Sequence, residues 1–74
     1  MEMDLFNKTD TTLVYIASTE FTKEITNGKN LHNFDVYIHV GRDKGSVTVY
    51  GDNDVIPIDM SIRERILKIA EKDR

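Results

Sequence analysis

Two stretches in the middle of the chain alternate strictly between apolar and other side chains. From residue 34 to 40 every even position is apolar, while Asp35, Tyr37 and His39 occupy the odd positions. Residues 46–50 repeat the alternation and end on Tyr50. Because successive side chains of a strand point to opposite faces, the pattern predicts two strands with one aliphatic face and one tyrosine and histidine face.

The loop between these strands predicts an antiparallel hairpin with a defined register. A four-residue loop at 42–45 places apolar residues opposite apolar residues, and a slip by one residue would mix the two faces. On the aliphatic face the predicted pairs are Val40 with Val47 and Ile38 with Val49. On the other face they are His39 with Thr48 and Tyr37 with Tyr50.

An earlier stretch, residues 11–17, is β-branched and aromatic, which predicts another strand. Its faces are ambiguous, because nearly every position is apolar. Placing the β-branched Val14 and Ile16 in the core sends Tyr15 outward, where it would join Tyr37 and Tyr50. Turns are predicted at 7–10 and 51–54, and residues 55–58 read as an extended apolar connection with Pro57 outside any central strand.

The segment from residue 18 to 27 fits two structures. Its threonines and the Asn27–Gly28 pair favour a strand followed by a hairpin turn. Phe21 and Ile25 are four residues apart, as in a short helix, and Asn27–Gly28 could then end that helix. The strand is the preferred prediction on propensity.

The C-terminal segment has the pattern of an amphipathic helix. Ser61 and Glu64 match a capping box at its start. Apolar residues then recur at helical spacing, namely Ile62, Ile66, Ile69 and Ala70. The fold predicted for residues 1–74 is a single α+β domain: a small antiparallel sheet of three to four strands with one C-terminal amphipathic helix packed on its aliphatic face.

Composition limits the classes of protein to which the chain can belong. The 74 residues include no cysteine, which excludes a disulfide-stapled scaffold and thiolate metal sites. The start of the chain lacks the basic and apolar stretch of a signal peptide, and no run approaches the roughly 20 apolar residues of a membrane span. We therefore expect a cytoplasmic protein with no membrane association.

Charge is distributed unevenly along the chain. Residues 1–62 hold five Lys and Arg against ten Asp and Glu, whereas residues 63–74 hold five against three. Because phosphate-backbone binding depends on concentrated positive charge, the acidic body disfavours nucleic acid as a partner.

Candidate chemistry is sparse. No serine lies in a nucleophile elbow, and His39 reads better as a strand residue opposite Thr48 than as a general base. A metal site formed by His32, Asp35 and His39 would require the two histidines to converge from opposite faces of a strand. The acidic run at 52–54 lacks the glycine and glutamate of a calcium loop. We therefore predict no catalytic residues, no metal and no cofactor.

The predicted function is non-enzymatic binding of a protein, as by a small inhibitor or adaptor. Tyrosine is enriched in protein interfaces, which favours Tyr15, Tyr37, His39 and Tyr50 as partner-binding residues. A second copy of the chain could use the same face to form a homodimer. The composition, with only two alanines, suits a low-GC genome such as that of a phage or mobile element.

The alternative is nucleic-acid binding. It would use base stacking on the tyrosines or a secondary electrostatic patch on the C-terminal helix. That patch consists of Arg65, Lys68 and Lys72.

Overall fold

The computed structural model describes residues 2–27, 35–43 and 45–74. Within these residues the chain forms five strands, two α-helices and a terminal 3-10 helix at Glu71–Asp73. The strands are β1 (Met3–Lys8), β2 (Thr12–Ala17), β3 (Val36–Gly41), β4 (Val47–Gly51) and β5 (Asp54–Val55). The helices are α1 (Thr19–Ile25) and α2 (Met60–Ala70).

The five strands form one antiparallel sheet in chain order, β1-β2-β3-β4-β5. The predicted α+β class is confirmed, with one strand more than the upper prediction. Two of the five strands, β1 and the two-residue β5, were not predicted, and one predicted strand is absent, as described below. In β1 the alternation is interrupted because the register shifts between Leu5 and Asn7. Such a bulge places one extra residue, Phe6, in β1 and breaks the period of two on which strand prediction depends.

The predicted β3–β4 hairpin is confirmed pair by pair. The observed partners are Val40 with Val47, His39 with Thr48, Ile38 with Val49 and Tyr37 with Tyr50. Ile38, Val40 and Val49 are almost completely buried, as the aliphatic face requires.

Two tight turns connect neighbouring strands at the edges of the sheet, one between β1 and β2 and one between β4 and β5. The turn predicted at 7–10 lies slightly later, at 9–12, where the Thr9 hydroxyl accepts a hydrogen bond from the Thr12 amide at 3.0 Å. The turn predicted at 51–54 is present and joins β4 to β5. Its central residues, Asp52 and Asn53, both have positive φ angles of 50° and 65°. This is the conformation of a two-residue hairpin turn, and Asp and Asn tolerate it better than most residues.

The preferred strand prediction for residues 18–27 is wrong, because α1 occupies this segment. The Ser18 side chain accepts a hydrogen bond from the Phe21 amide at 3.1 Å and caps the helix. Asn27 follows the helix with a φ of 58°, which is the left-handed conformation that ends many helices. Burial of Phe21 and Ile25 in the core stabilises the helix despite its threonines. Gly28 lies outside the described residues.

The C-terminal helix is confirmed, but its predicted cap is wrong. The helix begins at Met60, and Asp59 is the N-cap residue: its Oδ1 accepts from the Ile62 amide at 2.9 Å. Ser61 lies inside the helix and donates its hydroxyl to the same Asp59 oxygen at 2.9 Å. An aspartate two residues before the predicted cap therefore binds the free amide.

Both helices pack on the same face of the sheet. Phe21 and Ile25 from α1 join Ile62, Ile66 and Ala70 from α2 in one core cluster with the sheet. The sheet residues of this cluster are Met3, Leu13, Tyr15, Val36, Ile38, Val40 and Val49. Because both helices lie on this side, neither covers the opposite face.

Candidate functional site

The face of the sheet opposite the helices carries most of the aromatic side chains that the sequence singled out. Antiparallel partners share a face, so the register assembles this surface from four strands. We call it the open face and define it by Phe6, Val14, Ile16, Tyr37, His39, Thr48 and Tyr50.

Two edge-to-face ring contacts organise the open face. The rings of Phe6 and Tyr37 lie 5.7 Å apart between centroids, and those of His39 and Tyr50 lie 4.8 Å apart. Tyr37 and Tyr50 are directly opposite each other in neighbouring strands. The two ring pairs therefore lie side by side on neighbouring strands, each in a geometry that aromatic pairs prefer.

Exposure differs among these rings. Phe6 is 62% exposed and Tyr50 is 37% exposed, whereas Tyr37 and His39 are half-buried by their neighbours. Phe6 was not among the predicted site residues. The bulge that brings it to Tyr37 is a backbone irregularity, and alternation along β1 gives no sign of it.

The prediction that Tyr15 belongs to this surface is wrong. Tyr15 is 1% exposed and lies in the core, while Val14 and Ile16 occupy the open face. Its hydroxyl donates a hydrogen bond to Asp73 Oδ2 at 2.5 Å. Burial first, and then the hydrogen bond and negative charge of Asp73, raise the pKa of Tyr15 far above its ordinary value. The predicted three-tyrosine patch is thus a two-tyrosine patch extended by Phe6 and His39.

A cavity of about 450 Å³ lies at one end of the open face. The residues around it come from the β4–β5 turn and from the strand partners Tyr37 and Tyr50. Its lining residues are Asp35, Tyr37, Tyr50, Gly51, Asp52 and Asn53.

The predicted electrostatic patch, which lies on α2 and the terminal 3-10 helix, is less basic in the structure than in the sequence. Arg65 forms ion pairs with Glu2 and with Glu24, the latter at 2.9 Å, and its guanidinium lies 5.1 Å from the centre of the Phe21 ring. Hydrogen bonds to Glu24 raise the pKa of Arg65, and the same contact lowers the pKa of Glu24. Arg65 therefore joins α2 to α1 and to the residue before β1 instead of presenting a free cation.

Lys68 and Lys72, the other members of the patch, line a groove of about 430 Å³. This groove lies between the start of β1 and the two helices. Its other charged residues are all acidic, namely Glu2, Glu20 and Glu24. The surface around the two lysines is therefore mixed in charge.

The histidines and acidic residues were the remaining candidates for a metal or catalytic site. No cluster of three or more histidine, aspartate or glutamate residues in it is placed to hold a metal ion. His39 lies on the sheet surface, with its ring edge-to-face against that of Tyr50. His32, considered with Asp35 and His39 as a metal site, lies outside the described residues.

Comparison with known proteins gives no assignment: no family model matches the chain, and no curated protein or solved structure is significantly similar to it. Neither helix of the described residues is both long and apolar enough to cross a membrane.

Proposed function

We propose that this chain is a small non-enzymatic binding protein, of the kind that serves as an inhibitor or adaptor, and that it binds a protein partner through the open face. The observation that carries the proposal is the position of the helices. Both pack on one side of the sheet, which leaves the ring cluster of Phe6, Tyr37, His39 and Tyr50 without cover from any described segment.

The character of the open face supports a protein as the ligand. Aromatic side chains, and tyrosine in particular, are enriched at the centres of protein interfaces. Val14 and Ile16 add aliphatic surface beside the rings, and Val55 extends it at the edge with 62% exposure. Contiguous apolar surface bordered by polar residues is a common mark of an interaction site.

The test is capture of a partner from lysate of the organism that encodes the chain, followed by binding measurements with purified components. Tyr37→Ala combined with Tyr50→Ala should reduce affinity at least about a hundredfold, because aromatic anchors dominate interface energy. Lys68→Ala with Lys72→Ala is the matched control, since it removes two exposed side chains from α2 and the terminal 3-10 helix, and should leave affinity unchanged.

Circular dichroism and denaturant unfolding of each variant establish that the fold is retained. A partner that binds the folded tyrosine variant as tightly as the wild-type chain would refute the proposal.

Nucleic-acid binding remains the alternative, and the arrangement of charges supports it less. Arg65 is held by two carboxylates, and Lys68 and Lys72 face acidic neighbours. A salt-dependent affinity for single- or double-stranded DNA or RNA, lost in the lysine variant, would favour this alternative instead.

A further inference from the structure

One end of the sheet, which includes one end of the open face, is acidic. It comprises the paired strand ends at 2–5, 15–18, 35–38 and 49–56, in which the sequence has no lysine or arginine. The carboxylates at this end are Glu2, Asp4, Asp35, Asp52 and Asp54. Glu2 is paired with Arg65, whereas none of the four aspartates forms an ion pair within the described residues.

The cavity of about 450 Å³ described above lies at this acidic end. Its lining residues include Tyr37 and Tyr50 together with Asp35 and Asp52, both of which are exposed. Asp52 is placed there by the tight β4–β5 turn, where its φ is 50°. Aromatic rings and exposed carboxylates thus line a single space with room for one long side chain.

We propose that the partner inserts an arginine side chain of a basic surface segment into this cavity. This inference rests on the proposed function and specifies the chemistry of the partner. Arginine suits both the tyrosines and the aspartates of the lining. Its planar guanidinium stacks on an aromatic ring and donates paired hydrogen bonds to a carboxylate. An aliphatic side chain would use only the rings and would leave the aspartates without a partner.

Charge complementarity favours a basic partner over an acidic or neutral one. In the described residues, the charged side chains that line the cavity and those at the neighbouring strand ends are all acidic. A basic segment is therefore attracted during encounter, and a wrong partner with acidic residues is repelled.

The inference can be tested before any partner is known, with N-acetyl-arginine amide as the probe. Its neutral isostere, N-acetyl-citrulline amide, has the same shape without the charge. Titrations followed by NMR should move the ring signals of Tyr37 and Tyr50 in a saturable way with the arginine probe. Citrulline should bind about tenfold more weakly or not at all, and added salt should weaken arginine binding.

Matched variants locate the site. Asp35→Asn with Asp52→Asn should reduce affinity for the arginine probe about tenfold. Asp10→Asn with Asp43→Asn makes the same change in net charge at the opposite end of the sheet and should have little effect. Equal binding of citrulline, an equal loss in both double variants, or ring signals that do not move would each overturn the inference.

The captured partner separates failure of this inference from failure of the proposed function. If the aspartate variant binds the partner with wild-type affinity while the tyrosine variant does not, the arginine contact is refuted and the open face remains the docking surface. If the folded tyrosine variant also binds with wild-type affinity, the proposed function itself fails.

Discussion

Tyr15 connects the sheet to the end of the chain. Its ring is the largest of the fully buried side chains, and its hydroxyl reaches Asp73 in the terminal 3-10 helix, 58 residues away. A buried hydroxyl needs a hydrogen-bond partner, and this one finds a carboxylate. The contact therefore holds the last turn of the chain against the core.

Replacing Tyr15 by phenylalanine isolates the contribution of that hydroxyl. Tyr15→Phe keeps the ring in the core but removes the hydrogen bond to Asp73. We expect the free energy of unfolding at neutral pH to fall by about 1.5 kcal/mol, as for a hydrogen bond to a charged group. Urea denaturation measures this change, and Tyr50→Phe, on the open face, is the control. Equal losses in the two variants would contradict the role assigned to Tyr15.

The raised pKa of Tyr15 also predicts how stability changes in alkali. The folded state holds the tyrosine proton more tightly than the unfolded state, so this contribution is fully present below the ordinary pKa of 10.0. It is lost as the pH rises above that value towards the raised pKa of the folded state. Unfolding measured between pH 8 and about 11 should show a steeper loss for the wild-type chain than for Tyr15→Phe. Parallel curves for the two proteins would contradict this account.

The outward placement predicted for Tyr15 was wrong for a reason specific to β2. The strand is apolar at nearly every position, so its sequence does not identify which alternate set is buried. Pairing with β3 places Leu13 opposite Val40 and Tyr15 opposite Ile38, on the aliphatic face. Asp73, which accepts the hydrogen bond of the buried hydroxyl, is 58 residues away, so no local pattern indicates this contact.

Among the elements, α2 begins at a residue that the capping-box pattern did not select. Asp59 binds the Ile62 amide, and Ser61 supports it by donating to the same oxygen. The hydrogen bond from Ile62, followed by that from Ser61, lowers the pKa of Asp59.

Variants at these two positions should separate their roles. We expect Asp59→Ala to lower the denaturation midpoint at neutral pH more than Ser61→Ala, because only Asp59 binds the helix amide directly. Because the pKa of Asp59 is depressed, its stabilisation is present above the ordinary value of 3.8 and is lost as the pH falls below it.

Asp59→Asn is the control, since asparagine also caps helices but does not titrate in this range. A larger effect of Ser61→Ala than of Asp59→Ala would mean that Ser61, as the capping-box pattern predicted, is the more important capping residue. An equal acid response of the wild-type chain and Asp59→Asn would contradict the assigned pKa effect.

The two faces of β3 should respond differently to truncation. Ile38 is completely buried under the helices, so Ile38→Ala should cost about 2–5 kcal/mol of unfolding free energy. Its neighbour Tyr37 makes surface ring contacts, and Tyr37→Ala should cost about 1 kcal/mol. Denaturant unfolding of both variants under the same conditions measures the contrast. A similar cost at the two positions would mean that the open face is buried as deeply as the core face.

How well each element could be predicted depends on where its determining contacts lie. In the β3–β4 hairpin, apolar and other side chains alternate along both strands, and this local pattern was enough to predict the register. The helix α1 depends on burying Phe21 and Ile25 under a sheet, which outweighs its weak helix propensity. Phe6 reaches the site through a bulge, for which alternation has no signal. The aromatic face was thus predictable on β3 and β4 but not on β1 and β2.

At the scale of the whole molecule, the open face and the charge distribution together bear on self-association. A two-fold dimer uses the same patch on both copies. If that patch were centred on Tyr37 and Tyr50, the cavities of the two copies would meet near the axis and bring Asp35 and Asp52 close to their own counterparts. Like charges facing each other oppose this arrangement, and the net charge of −3 adds to the repulsion.

We therefore expect the chain to remain a monomer in sedimentation equilibrium from micromolar to sub-millimolar concentration at low salt. Asp35→Asn with Asp52→Asn should move the equilibrium towards association if the rings can pair at all, because it removes the repulsion while leaving the apolar surface intact. Tyr37→Ala with Tyr50→Ala is the control that removes the surface itself. A wild-type dimer that the tyrosine variant abolishes would make a second copy the occupant of the open face, in place of a different protein with a basic segment.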